Sequence, residues 1–171
     1  MFFNLTIGIQ GTDKEKTKVN FREAVRAVVF KDGKLLMVKS NKGDYKLPGG
    51  GAKSGETHEA ALIREVREET GFTVVRVIEQ IGVVTQRSID EVEKGAIFEM
   101  VSCYYLCEVS DAQAPLALDD YEAELDFCPQ WAHIDAAISS NEAMMHHGAA
   151  AVNNWTSRET TVLRELKRLL V

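Results

Sequence analysis

Residues 50–72 read GGAKSGETHEAALIREVREETGF, and this stretch decides what kind of fold the chain makes. HEAALIREVREET holds strong helix formers and no proline, Thr57 offers an N-cap hydroxyl, and Gly71 can turn left-handed at the C′ position. At about 100° per residue, with Glu65 at zero, Glu69 falls near +40° and Glu68 near −60°. Leu62, Val66 and Ile63 follow at about +60°, +100° and +160°. The spacing predicts a helix with a carboxylate stripe beside an apolar one, able to dock on a core while lining a cleft. Ala61, at about −40°, shares the acidic face, where a small side chain leaves room for an ion. Arg64, at about −100°, flanks it and can pair with Glu65 or Glu56, orienting a carboxylate.

Three carboxylates on one helical face repel each other, a poor arrangement for stability alone. It becomes sensible around a hard divalent cation, which takes oxygen ligands and shares them with substrate phosphates. The glycines at 49–51, just before the helix, let backbone approach such an ion closely. An isolated REVREE run reads more simply as a solvated surface helix, so the surrounding residues carry the decision. They form a pattern: glycine, five residues, glutamate, seven residues, Arg-Glu, an aliphatic residue, any residue, Glu-Glu, any residue, glycine, and an apolar residue. Gly50, Glu56, Arg64, Glu65, Val66, Glu68, Glu69, Gly71 and Phe72 fill it. With the lead-in Leu47-Pro48-Gly49-Gly50-Gly51, the chain resembles the Nudix hydrolase family, whose box is this pattern.

The resemblance implies an α/β fold, an α/β/α sandwich around a mixed β-sheet. It also implies metal-dependent hydrolysis of the pyrophosphate bond of a nucleoside diphosphate derivative. Glu65, Glu68 and Glu69 would hold Mg²⁺ or Mn²⁺ with help from the Gly50 carbonyl. Glu56 would be a further ligand or the ion-pair partner of Arg64. The family often draws another acid from outside the box, as base or ligand, and Glu122 and Glu124 are the candidates here. The bland alternative is that both are solvated loop acids. Some subfamily marks are absent: no proline lies between Pro48 and Pro115, no tyrosine between Tyr45 and Tyr104, and Gly51 stands where a sanitising branch often has lysine. The expected substrate is a nucleoside triphosphate or modified purine nucleotide. ADP-ribose or nucleotide-sugar hydrolysis is an alternative, as is a nucleotide-sensing module that does not cleave.

Substrate contacts are less legible. Arg26 interrupts the apolar run AVRAVVF, where a charge needs a partner; a substrate phosphate and a structural salt bridge both answer. Arg22 and Lys46 are weaker candidates. Trp155, beside Asn153 and Asn154, either stacks on a base while Asn154 reads its edge, or packs the start of the last helix.

The whole chain, 1–171, reads as one Nudix hydrolase domain. Hydrophobic content of 45% and charged content of 27% suit a soluble globular protein, and a net charge of −6 argues against general nucleic-acid binding. Anionic substrates then need a metal and local basic residues to approach. No run is long enough to span a membrane, and MFFNLTIGIQ reads as a strand, not a signal peptide. Cys103, Cys107 and Cys128 have no metal-ligand spacing and read as reduced, half-buried thiols of a cytoplasmic protein. Asp32-Gly33 predicts a hairpin joining Ala24–Phe30 to Lys34–Lys39. Strands are expected at 74–84, 96–109 and 129–134, the second apolar on both faces and therefore central. A helix is expected from about Asp135, and a closing helix at 156–170 with Val162, Leu163, Leu166, Leu169 and Leu170 inward. His146 and His147, adjacent on a helix, point apart and make a poor metal pair. A homodimer through the N-terminal strands is in keeping with the resemblance, though nothing in MFFNLTIGIQ decides it.

Overall fold

A computed structural model describes residues 1–10, 17–147 and 152–170. The box helix, α1 (His58–Thr70), forms where its local signals put it. Thr57 Oγ1 accepts the Ala60 N–H at 3.2 Å, and Gly71, at φ 75°, returns its N–H to the Arg67 carbonyl at 3.0 Å.

Around it the strands make two sheets. The first has β1 (Phe3–Gly8), β6 (Val74–Ile89), β7 (Ile97–Val109) and β2 (Val19–Val28) side by side in that order. The outer pairs are parallel and β6–β7 is antiparallel, so the sheet is mixed. In the second, β4 (Lys34–Lys39) carries β3 (Phe30–Lys31) and β5 (Tyr45–Lys46) on one side and β8 (Cys128–Ala132) on the other. Asp32 and Gly33, at φ 50° and 74°, make the expected tight turn. The hairpin is shorter than expected, however. Only Phe30–Lys31 pairs with β4; the run from Ala24 to Val28 leaves at Val29 to lie beside β7.

Strand alternation then splits the core in two. Val25, Ala27, Leu36 and Cys107 pack with Ala61, Leu62 and Val66 of α1. Val28, Leu35, Met37, Ile81, Val84 and Tyr104 pack with Ala137 and Ile138 of α3 (Ile134–His146) and Val162, Leu163 and Leu166 of α4 (Thr156–Leu170). Helices therefore cover opposite faces, the expected α/β/α sandwich. Strand β7 lies centrally, with Tyr104 in one core and Tyr105 against the other.

Several expectations need correction. Ala61 is buried in the α1 core and does not line the acidic face. Leu169 is 48% exposed, because the inward stripe of α4 ends at Leu166; the Leu170 side chain lies outside the described residues. Glu122 and Glu124 belong to a short helix, α2 (Asp120–Glu124), not a loop. The 74–84 strand runs on to Ile89, and the 129–134 strand ends at Ala132 because α3 starts at Ile134. Cys103 and Cys107 are buried, whereas Cys128 is exposed. In urea unfolding, Leu163→Ala is expected to cost about 2–5 kcal/mol and Leu169→Ala about 0.5 kcal/mol or less.

Candidate active site

The glycine loop lies directly on the acidic stripe. A Cβ on Gly50 would stand 2.3 Å from Glu65 Oε2, and one on Gly49, at φ 137°, would stand 2.1 Å from the Val25 carbonyl oxygen. Only glycine allows this approach. Glu69, 1% exposed, accepts the Gly49 N–H at 2.9 Å and pairs with the Lys46 ammonium. Lys46 also donates to the Gly49 carbonyl at 3.2 Å. The Gly50 carbonyl accepts the Val25 N–H at 2.9 Å, which leaves it one further lone pair.

Arg64 ties loop to helix. It grips both oxygens of Glu56 at 2.8 and 2.7 Å, reaches Glu65 Oε1 at 2.6 Å, and donates to the Gly51 carbonyl at 3.1 Å. That fork and the Lys53 N–H hold the Glu56 carboxyl down at about 2. Glu56 is thus the ion-pair partner of Arg64 in this arrangement.

A carboxylate from outside the box arrives on α2. Asp119 Oδ1 accepts the Glu122 N–H at 2.8 Å, and Glu122 Oε2 accepts the Asp119 N–H at 3.0 Å, a reciprocal capping box. The carboxylates of Glu65, Glu69 and Glu122 thereby come within 4.8 Å of one another. Burial and the Glu69 charge lift the Glu122 carboxyl to about 7, and burial raises that of Glu65. Glu124 is exposed and stays out of the group. Glu68 does too: 37% exposed at its side chain and 3.4 Å from Arg64, it faces an adjoining recess of ≈ 490 Å³ that Glu65 and Glu122 also line.

Beyond the acids opens a cleft of ≈ 590 Å³ with a basic floor of Arg26, Arg158 and Lys46. Arg26 is buried, donates to the Gly49 carbonyl, and leaves its Nε unpartnered. No carboxylate stands within ion-pairing distance of it among the described residues, so the salt-bridge reading finds no partner. Burial, then the Arg158 charge, lower its pKa. Arg22 lines the rim. Arg158 pairs with neighbouring Glu159 at 3.1 Å and donates to Gln86 at 3.1 Å. Sequence reasoning missed Arg158, although a signal existed: Arg158 and Glu159 precede Val162 and Leu163 by one turn, so both fall on the inward stripe of α4. Trp155 packs edge-on against Phe127, 6.5 Å between centroids, yet lines the cleft with its indole N–H unpartnered. Asn154 sits exposed at the rim, while Asn153 is spent on Asp44 at 3.0 Å. His146 and His147 join no ligand group among the described residues. No described helix is long and apolar enough to cross a membrane.

The chain is similar to known proteins. A NUDIX domain model matches residues 20–155. An ADP-ribose pyrophosphatase of Methanocaldococcus jannaschii is 34% identical over 105 residues, 59% of either chain, so the match spans less than two thirds of that relative. A MutT NUDIX hydrolase from Burkholderia pseudomallei is 25% identical, with 68% of this chain and 85% of that one covered and a TM-score of 0.51. A NUDIX hydrolase from Nitrosomonas europaea is 21% identical, with 72% and 79% covered and a TM-score of 0.54, a likeness of fold.

The elevated Glu122 carboxyl carries a stability signature. Between its ordinary value of 4.5 and about 7 the native state binds the extra proton, so metal-free stability falls as pH rises across that window. Melting curves in EDTA are expected to show Glu122→Gln gaining on wild type from pH 4.5 to 7 and holding its lead above. A pH-independent difference would refute the coupling of Glu122 to the buried acids.

Proposed function

Because the chain belongs to the Nudix family, we propose that it is a pyrophosphohydrolase that splits the P–O–P linkage of a nucleoside diphosphate derivative with a divalent cation. The observation that carries this reading is the convergence of Glu65, Glu69 and Glu122 at the mouth of a cleft floored by arginine. The donor set fits a hard cation: it is all oxygen, two members carry raised carboxyl pKa values, and Gly50 keeps the space at Glu65 free of a side chain. Glu65, Glu68 and Glu122 would hold Mg²⁺, or Mn²⁺ in its place, with the Gly50 carbonyl and Glu69 beside them. When bound, the ion neutralises phosphate oxygens and stabilises the leaving oxygen.

The chain's own groups do the rest. The Glu122 carboxylate, which a cation beside it would keep ionised, takes a proton from the attacking water as the new phosphorus–oxygen bond forms and the bridging bond breaks. Arg26, Arg158 and Lys46 receive the remaining phosphate charge. Arg64 keeps Glu65 and Glu56 in place and touches no substrate. Asn154, exposed at the rim, offers polar contacts to a base.

The lead substrate is a nucleoside triphosphate or modified purine nucleotide, in keeping with the missing downstream proline. ADP-ribose is the second reading, favoured by the name of the Methanocaldococcus relative. Both chemistries need the same acids, so product analysis separates them. Incubation with nucleoside triphosphates, oxidised purine nucleotides, ADP-ribose and nucleotide sugars, with Mg²⁺ in isotopically labelled water, reads the substrate and the phosphorus attacked. Glu122→Gln is expected to lower kcat by about 10²–10⁴-fold, Glu124→Gln to leave it unchanged, and EDTA to abolish turnover. Binding without cleavage of any substrate would turn the assignment to sensing, and wild-type rates in Glu122→Gln would remove the base.

A further inference from the structure

We propose that Glu23, His58 and Cys103 form a second metal site, suited to Zn²⁺, on the α1 face of the first sheet. Their ligand atoms lie within 4.8 Å of one another. The register explains why they meet. Cys103 on β7 stands opposite Val25 on β2, and Val25 faces α1; Glu23, two residues earlier on β2, points the same way. His58, the first residue of α1, closes over them.

The imidazole is already oriented for ligation. Nε2 lies 3.1 Å from Glu23 Oε1, while Nδ1 lies 2.5 Å from the Tyr105 hydroxyl. The two rings meet edge-on, with centroids 5.7 Å apart at 78°. A histidine with one nitrogen held by a neighbouring group and the other aimed at candidate ligands has the arrangement that metal-binding histidines use. Cys103 adds a second observation. Cys107 Sγ reaches the Tyr105 carbonyl at 3.5 Å and Cys128 Sγ the Pro129 carbonyl at 3.9 Å, but the buried Cys103 Sγ has no hydrogen-bond partner among the described residues.

The chemistry of the set selects the ion. Thiolate and imidazole favour Zn²⁺ over Mg²⁺, which the all-oxygen cluster of Glu65, Glu69 and Glu122 suits instead. On binding, Sγ–H gives its proton to solvent as the metal–sulfur bond forms, and Nδ1–H donates to Tyr105 while Nε2 ligates. One carboxylate and one thiolate balance the divalent charge, so no net charge is placed at the positive end of α1. Three protein ligands leave a fourth position for water, on the side where the Glu23 side chain is 43% exposed. The bond would join β2, β7 and the start of α1.

Cobalt as a spectroscopic stand-in for zinc tests this without any activity assay. Chelator-stripped, reduced full-length protein titrated with Co²⁺ is expected to develop a thiolate-to-cobalt charge-transfer band that saturates at one ion per chain. Zn²⁺ should bleach it and excess Mg²⁺ should not. The carboxylate cluster holds no sulfur and cannot give this band. Cys103→Ser and His58→Gln are expected to abolish it, and Cys107→Ser and Cys128→Ser to retain it. His58 is partly exposed, so His58→Gln decides the matter even where Cys103→Ser fails to fold. No band in wild type, or a band that survives His58→Gln, overturns the site.

Discussion

The loop from Leu47 to Gly51 is pinned by buried carboxylates from both helical layers, and the rest of the site follows from that. Glu69 of α1 takes the Gly49 N–H, and Glu159 of α4 takes the Leu47 N–H at 2.9 Å. Strand β2 holds the loop from a third side: the Ala27 N–H donates to the Pro48 carbonyl at 2.8 Å and the Val25 N–H to the Gly50 carbonyl at 2.9 Å. Glu69 and Glu159 are at most 1% exposed, and a buried charge without partners costs several kcal/mol. Moving the loop would cost each acid one backbone hydrogen bond, leaving Glu69 on Lys46 and Glu159 on Arg158. The glycine-rich loop is held in place because its backbone amides share these acids with Lys46 and Arg158.

That constraint also sorts the charges. On the α1 side, Glu65, Glu68 and Glu122 gather under the loop; on the α4 side, Arg26 and Arg158 lie beneath it, and the Gly49 carbonyl accepts from Arg26 and Lys46. A chain of net charge −6 thus presents a local basic floor beside its acids. Polyphosphate and divalent cation need opposite surroundings at close range, and a loop held between α1 and α4 supplies both.

The sequence makes the box helix legible because its signals are local: a cap, a periodic stripe and a terminal glycine. The two cores follow almost as directly from β7, apolar on both faces. Tertiary choices are less visible. Nothing in AVRAVVF says that Val28 ends one sheet and Phe30 begins another, since both sides of that break are apolar. Glu122 and Glu124 look alike in sequence. They part because a capping box orients Glu122 toward α1, while Glu124 lies two residues further around a short helix. Helical angles also misplace Ala61, since the loop covers one flank of the acidic stripe and the core takes the other.

The sequence trio Glu65, Glu68, Glu69 and the structural trio Glu65, Glu69, Glu122 are not the same, and the difference has a charge reason. Lys46 and the Gly49 N–H already balance Glu69, so its negative charge is largely committed to holding the loop. Glu65 shares Arg64 with Glu56, which takes two of the guanidinium's bonds. Among the described residues, Glu68 has only the long edge of that same guanidinium, and Glu122 has no cation among its partners. The acids with unspent charge are therefore Glu65, Glu68 and Glu122, which together line the recess beside the main cleft. A cation drawn to the greatest uncompensated charge would sit there, one step outward from the point where the three closest carboxylates converge.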